Sequence, residues 1–146
     1  MALEWKDEYS TGVDKVDEQH RKLFAFLNEL EGLIAQGIDR GPKVDSLLAS
    51  LATDTQTHFS FEERCMEQHH CPTARENKQA HDEFLRQFAT FQHEYKEKGS
   101  SVSLLKNLHE TAESWVVSHI CNIDIHLKSC VRKGKDGRSK SADYGV

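Results

Sequence analysis

Apolar residues recur every three or four positions in four stretches of the chain, which is the spacing of amphipathic α-helices. The first stretch covers about Asp17–Gln36, with Gly37 as a plausible stop, and the second begins near Pro42. The third covers about Pro72–Lys98, and the fourth follows the cap-type residues Ser100–Ser101. Since the connections are short, successive helices should run antiparallel. The pattern therefore predicts an all-α, up-down-up-down four-helix bundle.

The remaining parts of the chain lack this periodicity. Residues 1–16 should form an N-terminal arm, and a length of 146 residues suits one domain, which we assign to residues 1–130. Residues 131–146 are rich in Gly, Ser and Lys and read as a disordered tail. This tail carries five Lys/Arg and two Asp, a net +3, which leaves −8 for the rest against the total of −5. A body this acidic is a poor match for nucleic acid.

The hydropathy of the chain and the spacing of its cysteines help to predict where in the cell the protein is located. No apolar run approaches the roughly 18 residues that a membrane span needs, and the N-terminus lacks a basic and then apolar leader. We therefore expect a cytoplasmic protein without a membrane partner. The four cysteines form no CxxC pair, so we expect free thiols rather than disulfides or a zinc site. They are Cys65, Cys71, Cys121 and Cys130.

Each predicted helix places a histidine on its apolar stripe. His58 and Glu62 are four residues apart on the second helix, and His81 lies on the stripe of the third. His20 opens the first stripe and His119 closes the fourth. Burying imidazole and carboxylate groups is costly unless they are paired or bind a metal.

A metal site explains this pattern better than isolated core histidines do. Helical bundles build di-metal sites from carboxylates and histidines on facing helices, and this donor set suits iron, zinc or manganese. The other histidines do not share a helix face with a carboxylate in this way, and we expect them on the surface or in loops. They are His69, His70, His93, His109 and His126.

The ordered set of motifs resembles the bacterial hemerythrin family over residues 1 to about 130. The motifs are, in chain order, Trp5-x3-Tyr9-x2-Gly12-Val13, Asp17-Glu18-Gln19-His20-x2-Leu23, His58-Phe59-x2-Glu62 with Met66 after it, His81-Asp82-x-Phe84, and Trp115-x3-His119-Ile120-x3-Asp124. One HxxxE motif alone would be weak support. The complete set in near-family spacing is a strong resemblance.

The resemblance implies a site with two non-haem iron ions, oxo- or hydroxo-bridged. It implies that one iron is bound by His20 and His58, the other by His81 and His119, and that Glu62 and Asp124 bridge them. It also implies an apolar oxygen pocket that admits a small neutral gas. The lining of this pocket would be Leu23, Phe59, Trp115 and Val116.

Two positions complicate the implied site. His119 and Asp124 are five residues apart, about 140° around an ideal helix, so a π-type turn is one way for both to reach the metals. The family usually has a His-x3-His pair on the third helix, but Asn77 stands at the first of these positions. Water, Glu76 or Asn77 itself could fill the vacant ligand position.

The implied function is the binding of dioxygen or another small diatomic ligand, as a carrier, store or sensor. We therefore expect an oxygen-binding protein rather than an enzyme. An exchangeable position beside Asn77 keeps a second hypothesis open, a di-iron redox enzyme that acts on peroxide or nitric oxide. A third hypothesis is a degenerate member that serves as a metal-binding or interaction module.

Overall fold

The computed structural model describes residues 3–131, which form four long α-helices joined by short connections. The helices are α1 (Asp14–Ala35), α2 (Pro42–Gln68), α3 (Ala74–Lys98) and α4 (Val102–His119). α1 packs against α2 and α4, and α3 packs against α2 and α4, so the helices close into a bundle. The predicted all-α four-helix bundle is confirmed. The predicted tail lies outside the described residues except for Val131, which is helical and buried.

The helix boundaries follow local signals in the sequence. Gly37 adopts a φ of 74° two residues after the end of α1, and Gly99 adopts 85° directly after α3. Glycine enters this backbone region without a steric penalty. Pro42 occupies the first turn of α2, where no amide hydrogen bond is lost. The Leu104 amide donates to Ser101 Oγ at 3.0 Å, which caps α4.

Aliphatic and aromatic side chains from all four helices form the main core. Leu27, Leu30 and Leu105 are fully buried in it, and Phe84, Phe88 and Phe91 follow one another along α3. A second, smaller apolar cluster includes Phe61 and Met66, which flank Glu62 along α2. Across residues 3–131, no helix has the length and apolar character needed to cross a membrane.

The N-terminal arm is tied to the start of α1. The Thr11 amide and hydroxyl both donate to Asp17 Oδ1, at 2.9 and 2.8 Å. In the same arm, Trp5 and Tyr9 contact the Phe24 ring, with ring centroids 5.8 and 5.6 Å away, and the Tyr9 contact is edge-on. These contacts fix the arm against the helix that carries His20.

A π-helical turn over Ile120–Asp124 continues α4. The Ile125 amide donates to the Ile120 carbonyl at 3.0 Å, which is a five-residue step and not the four-residue step of an α-helix. The wider turn brings Asp124 back to the face of His119. The π-type turn considered from the five-residue spacing is therefore present.

The expectation of four free thiols is wrong for two of the cysteines. Cys71 and Cys130 form a disulfide across 59 residues, while Cys65 and Cys121 are free. The bond joins the turn between α2 and α3 to the helical residues 126–131. Sequence spacing could not reveal this pair, because the two residues meet only when residues 126–131 pack beside that turn.

Candidate metal centre

Six of the predicted site residues converge inside the bundle. α1, α2, α3 and α4 each contribute a histidine, α2 also contributes Glu62, and the π-helical turn contributes Asp124. All six are at most 6% exposed. They are His20, His58, Glu62, His81, His119 and Asp124.

The carboxylate of Glu62 divides its two oxygens between two pairs of histidines. Its Oε2 lies 3.4 Å from Nε2 of both His20 and His58. Its Oε1 lies 3.0 Å from Nε2 of His81 and 3.9 Å from that of His119. One carboxylate group therefore faces histidines from all four helices.

Asp124 divides its oxygens in the same way. Its Oδ2 lies 3.1 Å from Nε2 of His20, and its Oδ1 lies 3.2 Å from Nε2 of His119. The donor atoms consequently form two groups that share both carboxylates, each with its atoms within 4.8 Å of one another. The groups are His20, His58, Glu62 and Asp124, and Glu62, His81, His119 and Asp124.

Several buried oxygen and nitrogen atoms of this cluster have no hydrogen-bond partner within the protein. Both oxygens of Glu62, both oxygens of Asp124 and both ring nitrogens of His20 are buried without a hydrogen-bond partner. These side-chain atoms therefore lie close together without forming well-aligned hydrogen bonds. Unpaired buried carboxylates are costly, and a cation between them would remove that cost. Nitrogen and oxygen donors of this kind suit divalent iron, zinc or manganese.

Burial and the two carboxylates shift the pKa values of the site histidines in opposite directions. Burial alone lowers a histidine pKa, but contacts with Asp124 and Glu62 raise the pKa of His20 and that of His119 to about 9. Burial lowers the pKa of His58 to about 3, with repulsion from the other histidines adding to the effect. Burial works against ionisation of Glu62, yet the surrounding histidines hold the pKa of that carboxyl well below its usual range.

Asn77 belongs to this cluster, whereas Glu76 does not. The Asn77 side chain is fully buried, its Oδ1 is 2.8 Å from Nε2 of His119, and its Nδ2 has no partner. His81, one turn later on α3, has its Nε2 3.1 Å from the same His119 nitrogen. Glu76 is exposed and lines the groove between α3 and α4. Of the two side chains considered for the vacant position, the structure brings Asn77 to the site.

Aromatic rings cover the histidines on the core side. Phe59 stacks on His81 with centroids 3.7 Å apart and planes 4° apart, and Trp115 stacks on His119 at 4.4 Å and 12°. Phe59 and Trp115 also contact each other, at 5.6 Å. The other two predicted pocket residues, Leu23 and Val116, are buried in the same apolar cluster. The four predicted pocket residues therefore lie in one apolar region, two of them against the site.

Sequence reasoning missed two polar residues behind the histidines. His58 donates from Nδ1 to Gln19 Oε1 at 2.6 Å, and His81 donates from Nδ1 to Glu63 Oε2 at 2.8 Å. Gln19 directly precedes His20, and Glu63 directly follows Glu62. Their position next to these site residues was the one sequence feature that could have identified them. The expectation that His109 is a surface residue is wrong, because it lies four residues after Leu105 on the inner face of α4 and is buried.

Fold and site together define a four-helix-bundle protein with a buried histidine–carboxylate cation site. Residues 11–130 match the Hemerythrin HHE cation binding domain. The chain belongs to the hemerythrin family.

Relatives with the same architecture support this assignment. The chain is 27% identical over 143 residues to a bacteriohemerythrin of Stenotrophomonas maltophilia, covering 92% of this chain and 90% of the relative. It is 28% identical over 143 residues to a bacteriohemerythrin of Pseudomonas aeruginosa, covering 98% and 90%. A crystal structure of a hemerythrin leucine-to-alanine mutant superposes with a TM-score of 0.76 at 25% identity, covering 89% of this chain and 98% of that one.

Proposed function

We propose that the chain is a non-haem di-iron protein that binds dioxygen reversibly. The observation that carries this proposal is the division of Glu62 and Asp124 between two histidine pairs, with all four carboxylate oxygens lacking hydrogen bonds. Family membership and the bacteriohemerythrin relatives supply the choice of iron and of dioxygen. We expect the protein to serve as a carrier, store or sensor and not as an enzyme.

In this proposal His20 and His58 would hold one iron, and His81 and His119 would hold the other. Glu62 and Asp124 face both histidine pairs and would be shared by the two ions. The two carboxylates, which are at most 1% exposed, would also offset part of the cationic charge. Two iron ions, when bound, supply a pair of one-electron centres for a small diatomic ligand.

The apolar surroundings restrict which ligand can enter. Phe59 and Trp115 cover two of the histidines, and Leu23 and Val116 are buried beside them. An apolar shell around a metal site limits access of bulk water. These four residues therefore favour a small neutral gas over charged substrates.

A second candidate function follows from Asn77. A neutral amide faces His119 at the place where the family usually has an imidazole. An amide is a weaker donor to iron than imidazole, so this position can exchange with water. An exchangeable position on the second iron favours redox chemistry on peroxide or nitric oxide.

Metal content and optical spectra test the proposal directly. Protein of the full chain, made in iron-replete cells, should contain two iron ions per chain. After reduction under argon, exposure to air should produce a new absorption band that disappears again when oxygen is removed. Iron near zero would refute the di-iron assignment, and a band that does not reverse, with peroxide consumed, would favour the redox enzyme.

A further inference from the structure

Two of the inward histidines are held from behind by side chains of different charge. His58 donates from Nδ1 to the neutral amide of Gln19, at 2.6 Å. His81 donates from Nδ1 to the carboxylate of Glu63, at 2.8 Å. In both rings the bond leaves Nε2 facing Glu62, at 3.4 Å for His58 and 3.0 Å for His81.

The Glu63 carboxylate is partly exposed to solvent. Its side chain is 27% exposed, unlike the fully buried carboxylate of Glu62 next to it in the chain. The charged group that faces it, Lys78, is 62% exposed and has its Nζ 4.0 Å from the other Glu63 oxygen. A solvated lysine at that distance offsets little of the charge. His81 therefore donates to a partly exposed carboxylate whose contact with Lys78 is weak.

The carboxylate partner lies on the side of the site where Asn77 stands in place of the imidazole that the family usually has. His81 and His119 form one of the two donor groups, and Asn77 contacts His119 there. A carboxylate that accepts from the outer nitrogen of a histidine orients the ring and increases its basicity as a metal ligand. A neutral amide, such as that of Gln19 behind His58, does this to a smaller extent.

We infer that Glu63 is a positioning residue that strengthens His81 as a metal donor and thereby compensates for the missing imidazole at Asn77. This inference rests on the proposed role of His81 as an iron ligand. Glu63 touches no reacting group and acts through His81 alone. Because Gln19 lies behind His58 and Glu63 lies behind His81, the two metal positions then differ in the donor strength of their histidines.

The test compares metal binding by variants of the full chain. Metal-free protein is titrated with ferrous iron under argon, and the dissociation constants of the two binding steps are measured. Glu63→Gln keeps the shape and the hydrogen bond but removes the charge, and should weaken one of the two steps by roughly 10- to 100-fold. Glu63→Asp should restore part of the loss. Glu67→Gln, an exposed glutamate on the same helix, is the matched control and should change neither step.

A reciprocal variant and a redox readout separate donor strength from simple damage to the fold. Gln19→Glu places a carboxylate behind His58 and should tighten the other binding step. The midpoint potential of the iron-loaded Glu63→Gln protein should rise, because a less basic ligand stabilises ferric iron less well. A merely structural role would weaken both steps together and leave the potential unchanged.

The possible outcomes distinguish this inference from the proposed function. If the natural protein binds two iron ions but Glu63→Gln binds them equally well, the inference is wrong and the di-iron assignment stands. Equal weakening of both steps, or the same loss in Glu67→Gln, also overturns the inference. If the natural protein binds no iron, the proposed function fails and the inference fails with it.

Discussion

The side-chain oxygen of Asn77 lies 2.8 Å from Nε2 of His119, inside a cluster of imidazoles and carboxylates. Asn77 and His81 are one turn apart on α3, so both point to the same side of the site. The amide nitrogen of Asn77 is buried without a partner. Asn77 is thus placed where a third imidazole would reach the metal that we assign to His81 and His119.

Asn77→His should make the protein a better oxygen carrier. A third imidazole closes the exchangeable position, because imidazole is a stronger donor to iron than a neutral amide oxygen. We expect the oxygenated form to last longer and autoxidation to slow several-fold, and any consumption of peroxide should fall. The measurement is the autoxidation rate after reduction, at one pH and one oxygen level.

The control for this change is Asn107→His, at an exposed position on α4. It adds the same side chain outside the site and should leave the rate as it is. Equal rates for the natural protein and Asn77→His would mean that another ligand already fills the position.

Glu62→Ala should remove much of the iron. Glu62 is the carboxylate that faces all four histidines, and its loss leaves buried cations without their main counter-charge. Changes outside the ligand shell already cost roughly 10- to 100-fold in metal affinity, so a bridging ligand should cost at least that. Elemental analysis measures the loss against Glu67→Ala, which alters an exposed residue of the same helix. Full iron content in Glu62→Ala would contradict the bridging role.

The disulfide should stabilise the fold without contributing to the iron site. Replacing Cys71 and Cys130 by serine should lower the free energy of unfolding by roughly 2–4 kcal/mol, the usual range for such bonds. Iron content should not change, since neither cysteine belongs to the donor groups found within the described residues. Denaturant titration and iron analysis check both statements.

Counting thiols gives an independent check of the same bond. Unfolded but unreduced protein should present two reactive thiols, those of Cys65 and Cys121, and reduction should expose two more. Cys121→Ser is the control for loss of a free thiol and should keep both iron ions. Loss of iron in that variant would reveal a ligand that the proposed set lacks.

Metal-free protein should lose stability as the pH rises from about 6.5 to about 9. The pKa values of His20 and His119 are raised from 6.5 to about 9 by the nearby carboxylates, against the effect of burial. A raised pKa contributes stability that is complete below the unfolded value of 6.5 and is lost as the pH passes the folded value. Thermal unfolding across this range should show a falling midpoint.

The iron-loaded protein supplies the comparison for the pH prediction. Metal replaces the protons on His20 and His119, so its unfolding midpoint should vary less between pH 6.5 and 9. Iron should also bind more tightly at the upper end of this range, because fewer protons compete with it. A metal-free midpoint that rises with pH would contradict the assigned protonation of these two histidines.

The helices and the inward histidines were predictable from local patterns. Apolar spacing and short connections gave the bundle, and the positions of His20, His58, His81 and His119 on four apolar stripes pointed to one polar cluster. These inferences succeed because helical periodicity is a local property, and because a buried polar residue stands out against an apolar stripe. The motif resemblance, and not the periodicity, supplied Asp124.

Other features depend on how distant segments meet. The five-residue offset between His119 and Asp124 can be spanned by side-chain length or by an irregular turn, and the backbone of Ile120–Asp124 adopts the π-helical turn. The bond between Cys71 and Cys130 joins segments 59 residues apart. Periodicity describes one helix at a time and carries no information on such pairings.

The sequence by itself determined the fold class and the four inward histidines, because each is set by residue type and helical spacing. The resemblance of its motifs to the family identified the departure at Asn77. Only the tertiary structure decided which oxygen of Glu62 faces which histidine, and that Asn77 rather than Glu76 enters the cluster. It also decided that a carboxylate, Glu63, and an amide, Gln19, lie behind the two rings. The physical reason is that charge, distance and direction around a buried donor depend on side chains from several helices, which come together only when the bundle closes.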